Sequence, residues 1–365
     1  MTTQVKENDS VWDNSNHESK PGASSGRENQ IRLSPAPRST LPAAMASART
    51  PTTSTRSGLV LTLISIVAAI LIGAGGLAVA LAPPAPDPQM HRISVGGVER
   101  SYYLHVPRGL PPSAPLVIML HGDLNEGRTV VRDYGWENQA EKDGFVIAGP
   151  DGSRIYPDGT PSYRNYRGWN SGIAGGHANR ASSDDVGFIA AMIDDIERSV
   201  GTDPRRVYVA GYSSGGNMAN RLGQEMARRL AAISTSGNVM VPGPRTLSHG
   251  IPVLFSAGDR DPQVPRELSW RVTTGGGVLV KEGHRDLVNR WRALDACPAA
   301  HTIPGPKNTI VEASGPCRDG SEVRYVLMRG VRHKWPTGDP IDLTQMSWDF
   351  FRRFSLPDEP VALRR

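Results

Sequence analysis

Cysteine is nearly absent, with two residues in 365, at positions 297 and 317. Two thiols cannot build a disulfide scaffold. Neither Cys-x-x-Cys nor His-x-x-x-His occurs, so no metal site is expected. An excess of one charge is missing too. Lys plus Arg number 41 against 36 Asp plus Glu, a formal +5, and the basic residues are spread along the chain. That argues against nucleic acid as a partner. Long apolar runs are lacking, with one exception. Gly58 to Ala82 carries no charge, and as a helix it would measure roughly 37 Å against about 30 Å of membrane hydrocarbon.

That run orders the N-terminal part. Residues 1–57 are rich in Ser, Thr, Asn and Pro without an apolar period, so a disordered cytoplasmic tail is expected. Residues 58–82 read as a transmembrane signal-anchor helix and 83–90 as a Pro-rich spacer. Arg49 and Arg56 precede the run closely, whereas Pro83 to Met90 has no Lys or Arg. The positive-inside rule then puts everything after the span on the extracytoplasmic side. Secretion after cleavage behind Ala80-Leu81-Ala82 is the alternative.

Beyond the spacer, one stretch organises the chain. Val207, Val209 and Ala210 suit a buried strand, Gly211, Ser213 and Gly215 form Gly-x-Ser-x-Gly, and a helix-compatible run begins at Asn217. Strand, sharp turn and helix make a nucleophile elbow, in which only glycine fits two positions before and after the serine. Ser213 would stand at the sheet edge over a helix N-terminus, which favours negative charge.

Three further segments bear on the elbow. Leu116 to Leu120 is wholly apolar, reads as a central parallel strand, and ends in His121-Gly122. Backbone N–H groups there can face a reacting oxygen, so the amides of Asp123 and Ser214 are assigned as oxyanion donors. The His121 side chain is expected to hydrogen-bond its own loop. A strand ending at Ser256 leads into Gly258-Asp259-Arg260-Asp261-Pro262-Gln263-Val264-Pro265, where an acid should lie. Asp261 is favoured, its neighbour Val264 packing inward, while Asp259 serves the turn. His333 follows the last strand, in the place for a base. Asp184 and Asp185 open a helix whose Val186, Ile189, Ile193 and Ile196 share a face, so capping is expected of both. Residues 153–182, polar and aromatic, are a binding loop or lid, or a solvated connection.

These landmarks resemble the extracellular α/β-hydrolase esterases grouped as polyhydroxybutyrate depolymerases, feruloyl esterases and acetylxylan esterases. The resemblance spans roughly residues 91–356, through Gly-Val-Glu-Arg-Ser-Tyr (97–102), Leu-His-Gly, Asp-Asp-Val-Gly-Phe-Ile (184–189), the elbow, Asp-Pro-Gln-Val-Pro and His-Lys-Trp-Pro. It implies an α/β-hydrolase fold, a mostly parallel doubly wound sheet over residues 91–357, with 358–365 as a tail. It places nucleophile, acid and base on Ser213, Asp261 and His333 and pairs Cys297 with Cys317. Trp169, Trp335 and Arg332 are expected to contact substrate. Arg332 is a departure, since relatives often carry Gly-Gly-His before the Trp-Pro. The implied function is a serine esterase acting on small-molecule or polysaccharide-linked carboxylic esters, without metal or organic cofactor. An envelope acyltransferase using the same three residues, a non-catalytic binding module and a peptidase are the alternatives.

Overall fold

The computed structural model describes residues 87–154, 167–172, 183–238, 247–264 and 283–357, with the backbone alone at 270–274 and 277–281. The expected tail at 1–57, span at 58–82, most of the spacer, much of 153–182 and the C-terminal tail lie outside the described residues. Among those described, no helix is long and apolar enough to cross a membrane.

Fourteen strands are described. They are β1 (Gln89–Val95), β2 (Val98–His105), β3 (Leu116–Leu120), β4 (Val146–Pro150), β5 (Ser153–Arg154), β6 (Arg167–Gly168), β7 (Val207–Tyr212), β8 (Ala232–Ser236), β9 (Val253–Gly258), β10 (Trp270–Thr274), β11 (Gly277–Lys281), β12 (His301–Ile303), β13 (Thr309–Ser314) and β14 (Val323–Met328). Ten of them make one sheet in the order β1-β2-β4-β3-β7-β8-β9-β14-β13-β12. The centre, from β4 to β14, is parallel, and both flanks are antiparallel. Parallel strands buried on both faces are mostly apolar, and every residue of β3, β4, β8 and β9 is buried, with Ser234, Thr235, Ser236 and Ser256 the hydroxyl-bearing exceptions.

Among the described residues six α-helices cover the sheet: α1 (Gly127–Asp133), α2 (Trp136–Asp143), α3 (Asp185–Val200), α4 (Ser214–Glu225), α5 (His284–Leu294) and α6 (Leu343–Phe351). On one face α3, α4 and α5 bury Phe188, Ile189, Ile193, Met218, Leu222, Leu287 and Trp291 against β-strand residues such as Ile118, Val209 and Phe255. On the other, α1, α2 and α6 bury Val130, Trp136, Ala140, Trp348, Phe350 and Phe351 against Val117, Ile147 and Tyr208. The predicted face of α3 is the buried one. Asp184 caps it, accepting from the Gly187 N–H.

Strand order reverses direction at β3. From there the chain builds β4 to one side, then β7, β8, β9 and β14 to the other. The crevice beyond the C-terminal ends of β3 and β7 is therefore the topological switch point, where open α/β sheets place ligands.

Candidate active site

Ser213 sits in that crevice, between β7 and α4. Its φ of 53° and ψ of −120° lie in a region that side chains rarely occupy. The turn closes because its glycines touch backbone. A Cβ on Gly211 would lie 2.3 Å from Gly215 O, and one on Gly215 would lie 2.3 Å from Leu120 O. The Ser213 N–H donates to Ser236 O at 2.9 Å, fixing the turn to the end of β8. Ser214 is the first residue of α4, so its N–H has no acceptor within the helix and faces outward with the helix dipole.

The loop after β3 lies against the nucleophile. A Cβ on Gly122 would approach the Ser213 Cβ to 3.3 Å, so the chain passes close to the serine at the residue before Asp123. His121, fully buried, holds this loop. Its Nδ1–H donates to Gly122 O at 2.7 Å, and its Nε2 accepts the Gly152 N–H at 2.9 Å. That pattern requires a neutral ring of one tautomer. Burial pushes the imidazole down to about 4, against the opposing pull of Gly122 O. The own-loop bond is as expected; the tie to Gly152 at the end of β4 was invisible in sequence.

Asp261 and His333 come from loops after β9 and β14. Asp261 Oδ2 accepts from His333 Nδ1 at 2.7 Å, and Ser213 Oγ–H donates to His333 Nε2 at 3.0 Å. The other carboxylate oxygen accepts from the N–H groups of Gln263 and Val264. Burial alone would raise this carboxyl, but the bonds from His333, Gln263 and Val264 outweigh it and hold it below the ordinary range. Val264 is buried, as its place in the motif suggested. Asp259 does more than serve its turn, since its Oδ1 accepts from the Gly330 N–H and so ties the acid's loop to the base's loop. The Arg260 N–H to Val331 O bond adds a second stitch. Gly237 closes the far side, where a Cβ would lie 3.1 Å from His333 Cε1.

Trp169 and Trp335 require correction. The Trp169 indole is buried under His121, with its N–H donating to His121 O at 2.8 Å. Trp335 is buried as well, donating to Thr344 Oγ1 at 2.9 Å and stacking on Tyr134. Both rings anchor loops that carry the site, because an indole buries most of its area where its N–H finds a partner. Arg332 is exposed, as is Lys334, and neither has an ion pair among the described residues. Asp185 adds to its helix-start position a buried ion pair with Arg100. Cys297 and Cys317 are bonded to each other.

One hydroxyl thus meets a hydrogen-bonded imidazole with a carboxylate behind it, at the start of a helix. Such a set can transfer an acyl group. No family model matches the chain. A bifunctional acetylxylan esterase/xylanase of Neocallimastix patriciarum is 23% identical over 266 residues, covering 73% of this chain and 35% of that protein. Feruloyl esterase B of Piromyces equi is 26% identical, covering 67% and 43%. A poly(3-hydroxybutyrate) depolymerase of Ralstonia pickettii is 29% identical, covering 71% and 57%. The chain therefore spans between about a third and somewhat over half of these relatives. An acetyl xylan esterase structure from Aspergillus awamori superposes with a TM-score of 0.51 at 16% identity, over 72% of this chain and 99% of that one, which speaks for the fold. Motifs, sheet order and relatives agree: the chain has the α/β-hydrolase fold and is similar to esterases named as polyhydroxybutyrate depolymerases, feruloyl esterases and acetylxylan esterases.

Proposed function

We propose that this protein is a serine carboxylic ester hydrolase. The observation that carries the reading is the unbroken line Asp261–His333–Ser213, with the serine on a strained turn at the switch point. His333 Nε2 takes the Ser213 proton as Oγ attacks the ester carbonyl. The N–H groups of Ser214 and Asp123 hold the oxyanion. Collapse expels the alcohol, which leaves with the proton from His333. Water, deprotonated by the same imidazole, then releases the acid and restores the serine. Asp261 keeps the ring in the required tautomer and offsets its positive charge while protonated. The relatives named above suggest acetyl, feruloyl or short hydroxyalkanoate esters.

Ser213→Ala is expected to lower p-nitrophenyl acetate turnover by at least about a thousandfold with an unchanged far-ultraviolet spectrum. Unchanged turnover would end the assignment. The apolar segment at 58–82 is read as an anchor holding the catalytic domain outside the cytoplasm. The Cys297–Cys317 bond supports an oxidising compartment for that domain. Release of the intact chain from membranes by alkaline carbonate would refute the anchor.

A further inference from the structure

Most described Lys and Arg side chains are bonded. Arg100 pairs with Asp185, Arg167 with Asp151, Arg285 and Arg292 with Glu312, and Arg324 and Arg353 with Glu322. Among the described residues the cationic side chains left without a hydrogen bond or ion pair are Arg108, Arg154, Arg260, Lys307, Arg329, Arg332 and Lys334, and all are exposed. In sequence they look scattered. In the fold all but Arg108 gather where the parallel strands end.

β9 and β14 run parallel, and the loops after them carry Asp261 and His333. Arg260 follows β9, and Arg329, Arg332 and Lys334 follow β14. Lys307 precedes β13, whose Thr309 is registered with Met328 at the end of β14. The next residue, Asn308, accepts from the Arg329 N–H at 2.8 Å. Arg154 lies just past β4, on the other side of the crevice. Arg108 follows β2, which is antiparallel to β4, and so stands at the opposite end of the sheet.

Five cations therefore rim the acid and base loops. Arg332 and Lys334 flank His333, whose Nε2 accepts from Ser213 Oγ–H at 3.0 Å. Arg260 precedes Asp261, and its N–H donates to Val331 O at 3.0 Å, which joins the two loops. The acids of these loops do not pair with the rim. Asp261 is bonded to His333, Asp259 accepts from the Gly330 N–H, and Asp342 accepts from the N–H groups of Gly338 and Gln345.

We infer that the ester cleaved at Ser213 carries a carboxylate, which this rim draws in and holds beside the triad. Cations crowded without counter-ions repel one another, and a cleft lined by one sign of charge concentrates the other. Consecutive Cα atoms are about 3.8 Å apart, and an exposed charge acts over about 8 Å at physiological ionic strength. Charges on the immediate neighbours of His333 therefore act on an ester seated at the serine. A guanidinium meets a carboxylate with two parallel N–H···O bonds, and the Lys334 ammonium adds a point charge. A neutral ester leaves the rim unanswered. The inference rests on the serine esterase reading and adds the substrate's charge to it. The rim answers a carboxylate on the acyl or the alcohol part, and the experiment separates the two.

Paired esters differing in charge test it on the full chain. Mono-p-nitrophenyl glutarate against its methyl ester puts the carboxylate on the acyl side. p-Butyryloxybenzoate against p-butyryloxybenzamide puts it on the alcohol side. Each kcat/KM is divided by the rate in hydroxide alone, which removes differences in intrinsic reactivity. In at least one arm, in about 10 mM salt, the wild type is expected to favour the anion by about fivefold or more. That preference is expected to fall by about half or more in about 300 mM salt, where the rim is screened. Arg332→Gln with Lys334→Gln is expected to cut it by about threefold or more, and Arg108→Gln to leave it as it was. A smaller preference in both arms, one indifferent to salt, one that survives the double substitution, or one that falls equally in Arg108→Gln overturns the inference. Fluorophosphonate labelling of Ser213 is read alongside. If the double variant does not label, Arg260→Gln with Arg329→Gln replaces it under the same criterion. A wild type that neither labels nor turns over any of the esters overturns the esterase reading itself. One that labels and turns over the neutral esters without a charge preference overturns the inference alone.

Discussion

His333 Nδ1 lies 2.7 Å from Asp261 Oδ2 although 72 residues of chain separate them. Two loops laced by Asp259–Gly330 and Arg260–Val331 bonds hold that contact. The carboxylate fixes the hydrogen on Nδ1 and so presents Nε2, as an acceptor, to Ser213.

Asp261→Asn should therefore leave the fold and substrate affinity largely intact while presenting the wrong ring nitrogen to the serine. kcat on p-nitrophenyl acetate is expected to fall by about 10³–10⁴ with KM within about threefold. Steady-state kinetics across pH would check this. The stability contribution has a definite sign: the folded carboxyl sits below its ordinary value. Its contribution is present above about pH 4 and is lost as pH falls through the lowered folded value.

Ser213→Gly should be inactive yet no less stable than the wild type. At φ 53° and ψ −120° the side chain strains the backbone, and glycine relieves that strain. A gain of about 0.5–1 kcal/mol is expected after glycine's own entropy cost. Chemical denaturation measures it. A clear loss of stability would mean that the turn is not strained.

Gly215→Ala should be among the most damaging small substitutions. Its Cβ would lie 2.3 Å from Leu120 O and 2.5 Å from His121 O, both backbone atoms at the end of β3. A loss of about 3 kcal/mol is expected, together with displacement of the oxyanion loop and reduced activity. Gly96→Ala, with positive φ but open space around it, should cost only about 1 kcal/mol and spare activity.

Asp295 should make stability fall as pH rises. Burial raises its carboxyl to about 7, while the bond from Ser321 and the Arg318 charge only partly oppose the shift. Unfolded, the group titrates near about 4. Between these values the folded state holds a proton that the unfolded state has lost, so unfolding free energy declines from about pH 4 to pH 7. Asp295→Asn should flatten that decline and gain most over the wild type at pH 8. Equal pH profiles for the two proteins in urea would contradict it.

Local pattern made much of this protein legible in its residues. The wholly apolar Leu116–Leu120 could be read as a central strand because five consecutive apolar residues suit a strand covered on both faces. The elbow could be read because its glycines answer a purely local steric demand. Asp261 and His333 could be placed because acid and base loops follow strands in a set order, with Val264 marking which aspartate turns inward.

Other roles depend on contacts between segments far apart in the chain. Indoles at 169 and 335 look like binding aromatics in one dimension, yet His121 O and Thr344 take their N–H groups into the interior. The partner of Asp185 is Arg100, 85 residues away, and Asp259 reaches 71 residues to Gly330. Sequence determined the strands, the turn and the chemical types available, because backbone sterics and apolar periodicity act between near neighbours. Which distant polar groups became partners was decided by the packing of helices and loops onto the sheet, since hydrogen bonding depends on distance in space.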